Sequence, residues 1–330
     1  VSISKGFLGK FAIKEQSAFE TGIAFNNWAT SAYLLPVLSE SFSPEIARIP
    51  SPILDGTAGQ RADRRGNKSI AGSLDLELDY LNVNTILKAC FGSVSSGTYT
   101  FIDTEHTSVG FLIEKTVSRF RVIGAKCDNF SIGAGQGENW KLSSSWKGFD
   151  ADRDATAFPS LTLNSHDPWK FDLTKIRLNR ISDGDLADGS HQIYVTNINF
   201  EASHMLEEPI YVTRSANANK TIEVLKSGFR EVKITLTFPR YEDTANITNV
   251  SELIDWEAAD SALQMDITIA GTANTAVFRI PHIKIAQIPN LNISGPEPGT
   301  VSVELMAFVN NSVNTNTNMT FTEEARLIIS

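Results

Sequence analysis

Three carboxylates stand two residues apart at Asp75, Glu77 and Asp79, alternating with Leu74, Leu76 and Leu78. On an extended strand, neighbouring side chains point to opposite faces, so the acids share one face and the leucines the other. Such a row can hold a metal or do acid–base work. It is also the ordinary solvated side of a half-buried strand, and the strict alternation with leucine favours that use. The five histidines, His106, His166, His191, His204 and His282, fall in no HxH, HExxH or HxxH spacing, so no zinc site is signalled. Gly133, Gly135 and Gly137 form a GxGxG run, but Trp140, Leu142, Ser144 and Trp146 resume strand alternation directly after it. A phosphate cradle needs backbone N–H groups at a helix start or nest, whereas glycines between two alternating runs make a hairpin. Asp183, Asp185 and Asp188 have the look of a calcium loop, without a Glu at the twelfth position from Asp183. An Asp/Gly turn accounts for them. Cys90 and Cys127 form no framework and read as buried thiols. Trp140 and Trp146 share a strand face and offer a sugar platform, against which stands their usual use in a core. No GxSxG elbow or P-loop is present. We expect no catalytic residue, no metal site and no cofactor.

The elements that carry these residues are mainly strands. The chain has 330 residues, 42% hydrophobic and 20% charged, enough for one large or two ordinary domains with their own cores. The net charge of −9 argues against a tight grip on nucleic-acid phosphate. It is compatible with a surface past which DNA slides without sticking, because like charges repel. No apolar run reaches the length of a membrane span, and residues 1–14 lack the apolar stretch of a secretory signal.

Residues 1–25 have no clean period and read as an arm or short edge strand. Residues 41–68 carry Pro44, Pro50, Pro52, Gly56, Gly59 and Gly66 together with Arg48, Arg61, Arg64, Arg65 and Lys68. That is a long loop with a basic tip, suited to contact with another molecule. A strand over 72–79 leads to a helix over 84–91, where Ile86, Leu87, Cys90 and Phe91 share a face and Gly92 supplies the stop. Strands follow at 98–102, 110–115 and 120–131, then the hairpin.

The second half replays this order. Alternating strands over 193–200 and 229–238 precede a helix over 248–263, capped by Thr248 or Asn249. Strands follow over 264–269 and 277–288, then a strand–turn–strand through Leu291, Ile293 and 295–299 to 300–309. Both closing units open on Phe-Arg, Phe120-Arg121 and Phe278-Arg279. We read a tandem duplication with these boundaries: an N-terminal arm and first strand at 1–39 and a first domain at 40–155. A linker or insert follows at 156–190, then a second domain at 191–309 and a C-terminal arm or strand at 310–330. The polar run 310–320 and the N-terminal 25 residues suit arms that order on a neighbour. Several strand edges suit pairing between subunits.

The loop at 41–68, the unit GSLDLELDYLNVNTILKACFG, then Tyr99-Thr-Phe101 and the hairpin RFRVIGAKCDNFSIGAGQGENWKLSSSWKG together resemble the tail tube proteins of long-tailed bacteriophages, in a version with a duplicated tube domain. The resemblance covers 10–150 well and 190–310 loosely. It implies two tandem β-sandwich or barrel-like tube domains, each with a flanking helix. Their sheets would join between subunits into homo-hexameric rings, stacked into a tube through which DNA passes as a transient passenger. It implies a non-enzymatic structural protein of the virion tail, assembled in the host cytoplasm, with itself and other tail proteins as partners and no membrane. Carried onto this sequence, Asp75, Glu77 and Asp79, then Ser143, Ser145, Thr235 and Thr237, are candidate lumen residues. Arg48, Arg61, Arg64, Arg65 and Lys68 are candidate contacts between rings. A distal tail or baseplate ring of the same fold, and a carbohydrate-binding β-sandwich, stand as alternatives.

Overall fold

The computed structural model describes residues 9–24, 27–28, 31–49, 64–115, 118–154, 158–161, 167–187, 190–211, 222–239, 250–272, 274–287 and 300–330. The first half contains β1 (Lys10–Glu15), β2 (Tyr33–Leu34), β3 (Val37–Glu40), β4 (Ser43–Ile49), β5 (Arg64–Glu77), α1 (Asn84–Phe91), β6 (Gly92–Ser95), β7 (Thr98–Phe101), β8 (Val109–Glu114), β9 (Arg119–Gly135), β10 (Lys141–Gly148) and β11 (Asp150–Asp154). The second contains β12 (Thr174–Arg180), β13 (Gln192–Ile193), β14 (Asn197–Ser203), β15 (Glu231–Phe238), α2 (Val250–Ala258), β16 (Leu263–Ala270), β17 (Thr275–Gln287), β18 (Val301–Ala307) and β19 (Arg326–Ile329). The molecule is mainly β, and all the strand pairings described are antiparallel.

One pairing scheme occurs twice. In the first half the ladder runs β2–β1–β8–β9–β10–β5–β3. In the second it runs β13–β12–β16–β17–β18–β15–β14. Helices α1 and α2 occupy the same place in chain order, after β5 and β15. β9 and β17 are the long Phe-Arg strands, and each changes neighbours along its length. β9 pairs with β8 through Ala125 and with β14 from Asn129. β17 pairs with β16 up to Ile283 and with β18 from there on. The segment 156–190, expected as a linker or insert, carries β12 in this scheme.

Alternation decides which faces are buried. In β15 every second residue, Val232, Ile234, Leu236 and Phe238, is buried. Leu74, Leu76, Leu142, Ile132, Ile198, Phe200, Val303 and Leu305 continue the same apolar side into one core. Phe91 from α1 packs there, stacked on Phe101 at 4.9 Å and tilted on Phe130 at 5.2 Å between ring centres. Truncating an aromatic in such a site costs roughly 3–5 kcal/mol, so the ring cluster ties α1 to the sheet more firmly than its two turns could hold themselves.

Three expectations are corrected. The stretch 41–68 is a hairpin of β4 against the first half of β5 where the structure describes it, and its tip at 50–63, with Arg61, lies outside the described residues. The helix expected over 248–263 ends at Ala258, and Leu263 opens β16. Its caps Thr248 and Asn249, and the turn 291–299, lie outside the described residues. The polar run 310–320 is no arm awaiting a neighbour. Asn310 and Asn314 are buried, and the Asn310 amide donates to the carbonyls of Asn314, Met319 and Phe321 at 2.8–3.1 Å. The Asn314 amide donates to Gln264 and to the Pro281 carbonyl. β19 then adds between β17 and β7. Asparagine-rich sequence reads as disordered by composition, yet each buried amide here has its partners, and that makes burial tolerable.

Candidate functional site

The polar side of the sheet forms one continuous face across six strands. Register places Asp75 opposite Ser143, Ser143 opposite Ser131, Ser131 opposite Glu201, and Glu201 opposite Lys233. A second row runs Glu77, Lys141, Gly133, Asn199, Thr235 and Glu304. A third runs Ser73, Ser145, Asn129, Ser203 and Glu231, and Thr237 lies beyond, opposite Asn197 and Ser302. Residues directly opposite in an antiparallel ladder share a face. Asp75, Glu77, Ser143, Ser145, Thr235 and Thr237, six residues singled out in the sequence, are therefore brought together on one side. The surface is concave over Ser73, Asp75, Ser131, Ser143, Glu201 and Lys233.

Asp79 is the exception. It is fully buried and its Oδ1 accepts from the Leu81 and Asn82 N–H groups at 2.7 and 2.6 Å, with Oδ2 taking the Asn82 amide. β5 ends at Glu77, and Asp79 serves the turn into α1. Ser131, Asn129, Asn199, Glu201, Glu231 and Glu304 belong to the face and were not singled out. Alternation marked their strands, but no sequence feature says which strands are neighbours.

The face is short-chained, hydroxylic and acidic. Its three rows hold five carboxylates, Asp75, Glu77, Glu201, Glu231 and Glu304, against two ammonium groups, Lys141 and Lys233. Both lysines are paired: Lys141 with Glu138 at 3.4 Å, and Lys233 with Glu231 at 3.2 Å and Glu304 at 3.8 Å. The Glu231 carboxylate holds the Lys233 ammonium above the usual lysine range. The carboxylates are tethered too, Asp75 by the Ser39 hydroxyl at 2.5 Å and Glu77 by the Asn139 amide at 2.5 Å. Among the described residues no cluster of His, Cys, Asp or Glu has the geometry to hold a metal ion.

Residues 6–307 match the family model for phage tail tube protein. The chain belongs to the phage tail tube protein family. Membership implies a structural component of the virion tail that assembles with copies of itself and with other tail proteins. No curated protein matches the chain. No helix among the described residues is long and apolar enough to cross a membrane.

Against this family, the other candidates fall into place as structure. Gly133 and Gly135 lie in β9, and Gly137 takes φ +76° in the hairpin turn. Trp140 and Trp146 are buried, so neither can stack a sugar; Trp146 Nε1 donates to Ser144 Oγ at 2.8 Å. Asp183 accepts from Arg180 at 2.7 Å, and Asp188 lies outside the described residues. Of the basic candidates, Lys68 is half-buried and ion-paired with Asp150 inside the chain. Arg48 lies on β4, whose seven residues are all exposed, and Arg64 and Arg65 begin β5 opposite Ile49 and Arg48.

Proposed function

We propose that this tail tube protein is the repeating subunit of stacked rings that form a conduit for DNA ejection, and that it performs no catalysis. Its two ladders are two tandem tube domains, 40–155 and 191–309 in the main, and the rings are sixfold in these units. The polar face lines the lumen, and the β4–β5 hairpin, with Arg48, Arg64 and Arg65, reaches the next ring. The observation that carries this reading is the acidic, hydroxyl-rich face that crosses strands of both halves, with Met306 opposite Lys233 at its β18 side. A conduit for a polyanion needs a wall that neither offers unpaired cations nor exposes apolar side chains, because phosphate contacts supply most non-specific affinity. Assembly takes place in the host cytoplasm, and DNA is a passing occupant only.

Negative-stain microscopy of the purified protein is expected to show tubes with a regular axial repeat. A single ring that never stacks would instead place the protein at the distal tail or baseplate, and a strictly monomeric protein would remove the reading. Tubes of Asp75→Lys with Glu201→Lys are expected to form and to retain duplex DNA at low salt, releasing it as salt rises. Wild-type tubes are expected to retain none. Equal retention by the two would sink the lumen assignment.

A further inference from the structure

Cys90 and Cys127 take no part in the polar face, and they touch. Their sulfurs lie 3.7 Å apart, and both thiols are free and buried. Cys90 sits in the last turn of α1, one residue before its end at Phe91. Cys127 sits in β9, where Trp146 stands opposite it and Ser145 stands opposite Asn129. Asp128 is thus the extra residue of a bulge beside the thiol. Both backbones are held by bonds of their own. The Cys90 carbonyl accepts from His204 Nε2 at 2.6 Å, and β9 is paired with β10 at Cys127 and with β14 from Asn129.

A disulfide needs its sulfurs about 2.0 Å apart. The gap left to close is about 1.7 Å, the size of step that a change of side-chain torsion gives. α1 is the partner that can yield. It has two turns, and Val83 before it supplies no side-chain cap. A helix this short does not hold itself in water. Packing of Ile86, Leu87, Cys90 and Phe91 keeps it in place. Burial above all, then the contact with Cys90 and the charge of Asp128, pushes the Cys127 thiol up. A buried, protonated thiol reacts slowly. Oxidation therefore runs through opening of the last turn of α1, which brings Cys90 to solvent first.

We infer that Cys90 and Cys127 form a redox-operated clamp: reduced, they leave α1 held by packing alone, and oxidised, they join α1 to β9 by a covalent bond. The oxidant is a small disulfide. The Cys90 thiolate attacks one of its sulfurs, forms a mixed disulfide and expels the first small thiol. Cys127 then attacks the Cys90 sulfur and expels the second. Two electrons pass to the small disulfide, and the two protein thiol protons end on the two thiols released. The chemistry stands apart from the tube reading, which sets only its timing. Assembly in a reducing cytoplasm leaves the clamp open, and the oxidising medium outside the cell closes it.

Wild-type chain held in oxidised glutathione, and in parallel in dithiothreitol, tests the clamp, with urea below the unfolding midpoint added to speed the opening. After alkylation and digestion, mass spectrometry is expected to find the Cys90 and Cys127 peptides joined within one chain. The intact mass is expected to be lower by two hydrogens, with no glutathione retained. Once the urea is removed, the oxidised chain should melt about 5 °C above the reduced one, the direction that closing a loop between residues 90 and 127 gives. Cys90→Ala or Cys127→Ala should abolish that difference, and the peptide mapping needs no variant. Thiols still free after oxidation, glutathione held on either cysteine, a bond between two chains, or a Tm that does not rise would each overturn the clamp. Tubes formed by a protein whose thiols stay free would leave the tube reading standing. A joined pair in a chain that never forms tubes would overturn that reading and leave the clamp.

Discussion

His106 and His204 lie with ring centres 4.0 Å apart, both buried, at the junction of α1, β14 and the end of β7. His204 Nε2 donates to the Cys90 carbonyl at 2.6 Å and His106 Nδ1 to the Ala89 carbonyl at 3.2 Å, so these two nitrogens carry a proton at the last turn of α1. Burial first, then the charges of Lys226, Arg230 and Lys126, lowers His106 to about 4. Burial and the neighbouring His106 lower His204 as well. The sign follows from linkage. Above about pH 6.5 both states are neutral and the pair contributes fully; as pH falls toward about 4, the unfolded chain takes up protons that the folded one refuses. Stability is therefore lost across that window. For His106→Gln, which keeps a donor for Ala89 and no longer titrates, the fall in unfolding free energy between pH 7 and pH 4.5 should be smaller than in wild type by about 2 kcal/mol. Parallel pH profiles from denaturant titrations would refute the assignment. None of this was legible in the sequence, where two histidines 98 residues apart carry no spacing. Asp79 shows the opposite case, a period-two pattern followed two residues beyond the strand that generated it.

At the scale of elements, the sequence was legible where a local signal sets the boundary. α1 occupies the expected span because its apolar stripe ends on Gly92, whose φ of +110° suits glycine. α2 was read too long because no glycine closes it. Asp260 takes the left-handed turn at φ +48° instead, and Leu263 fits both the helical spacing and the start of β16. The change of neighbours along β9 was not legible, since alternation continues through it. Gly124 sits there with φ +63°, and a Cβ on it would lie 2.0 Å from the Phe19 carbonyl oxygen and 3.1 Å from Phe149. Gln16 Oε1 accepts its N–H at 2.6 Å. The buried Lys126 beside it donates to Glu105 at 2.9 Å and to the Val224 carbonyl at 3.0 Å, pinning two further segments to the same point. Gly124→Ala combines a disfavoured φ with a backbone clash, so the unfolding midpoint in urea should fall by the equivalent of about 3 kcal/mol. A loss below about 1 kcal/mol, within the range of surface changes, would show that β9 can bend elsewhere.

At the scale of the whole molecule, each strand face was legible and the neighbours were not, because a two-residue period reveals sides but no partners. Register gathers whichever polar sides the strands own, so Asp75, Glu77, Ser143, Ser145, Thr235 and Thr237 share a face and Asp79 does not. Of the ring-to-ring candidates, Lys68 is ion-paired with Asp150 within the chain. What remains is a hairpin whose outer strand β4 is exposed throughout and whose register sets Arg48 opposite Arg65, with Arg64 adjacent. A hairpin that carries three arginines suits an acidic surface. With a net charge of −9, the rest of each ring offers such partners. The hairpin should then act on stacking and leave ring closure, which runs through the sheet edges, in place. Arg64→Glu with Arg65→Glu is expected to shift the assembled population from long tubes to short stacks and free rings, with chains per ring unchanged. Sedimentation velocity in low salt, with micrographs of the same samples, reads both quantities. Rings and tubes lost together would mean that the hairpin helps close the ring. Tubes of normal length would mean that the contact between rings lies elsewhere.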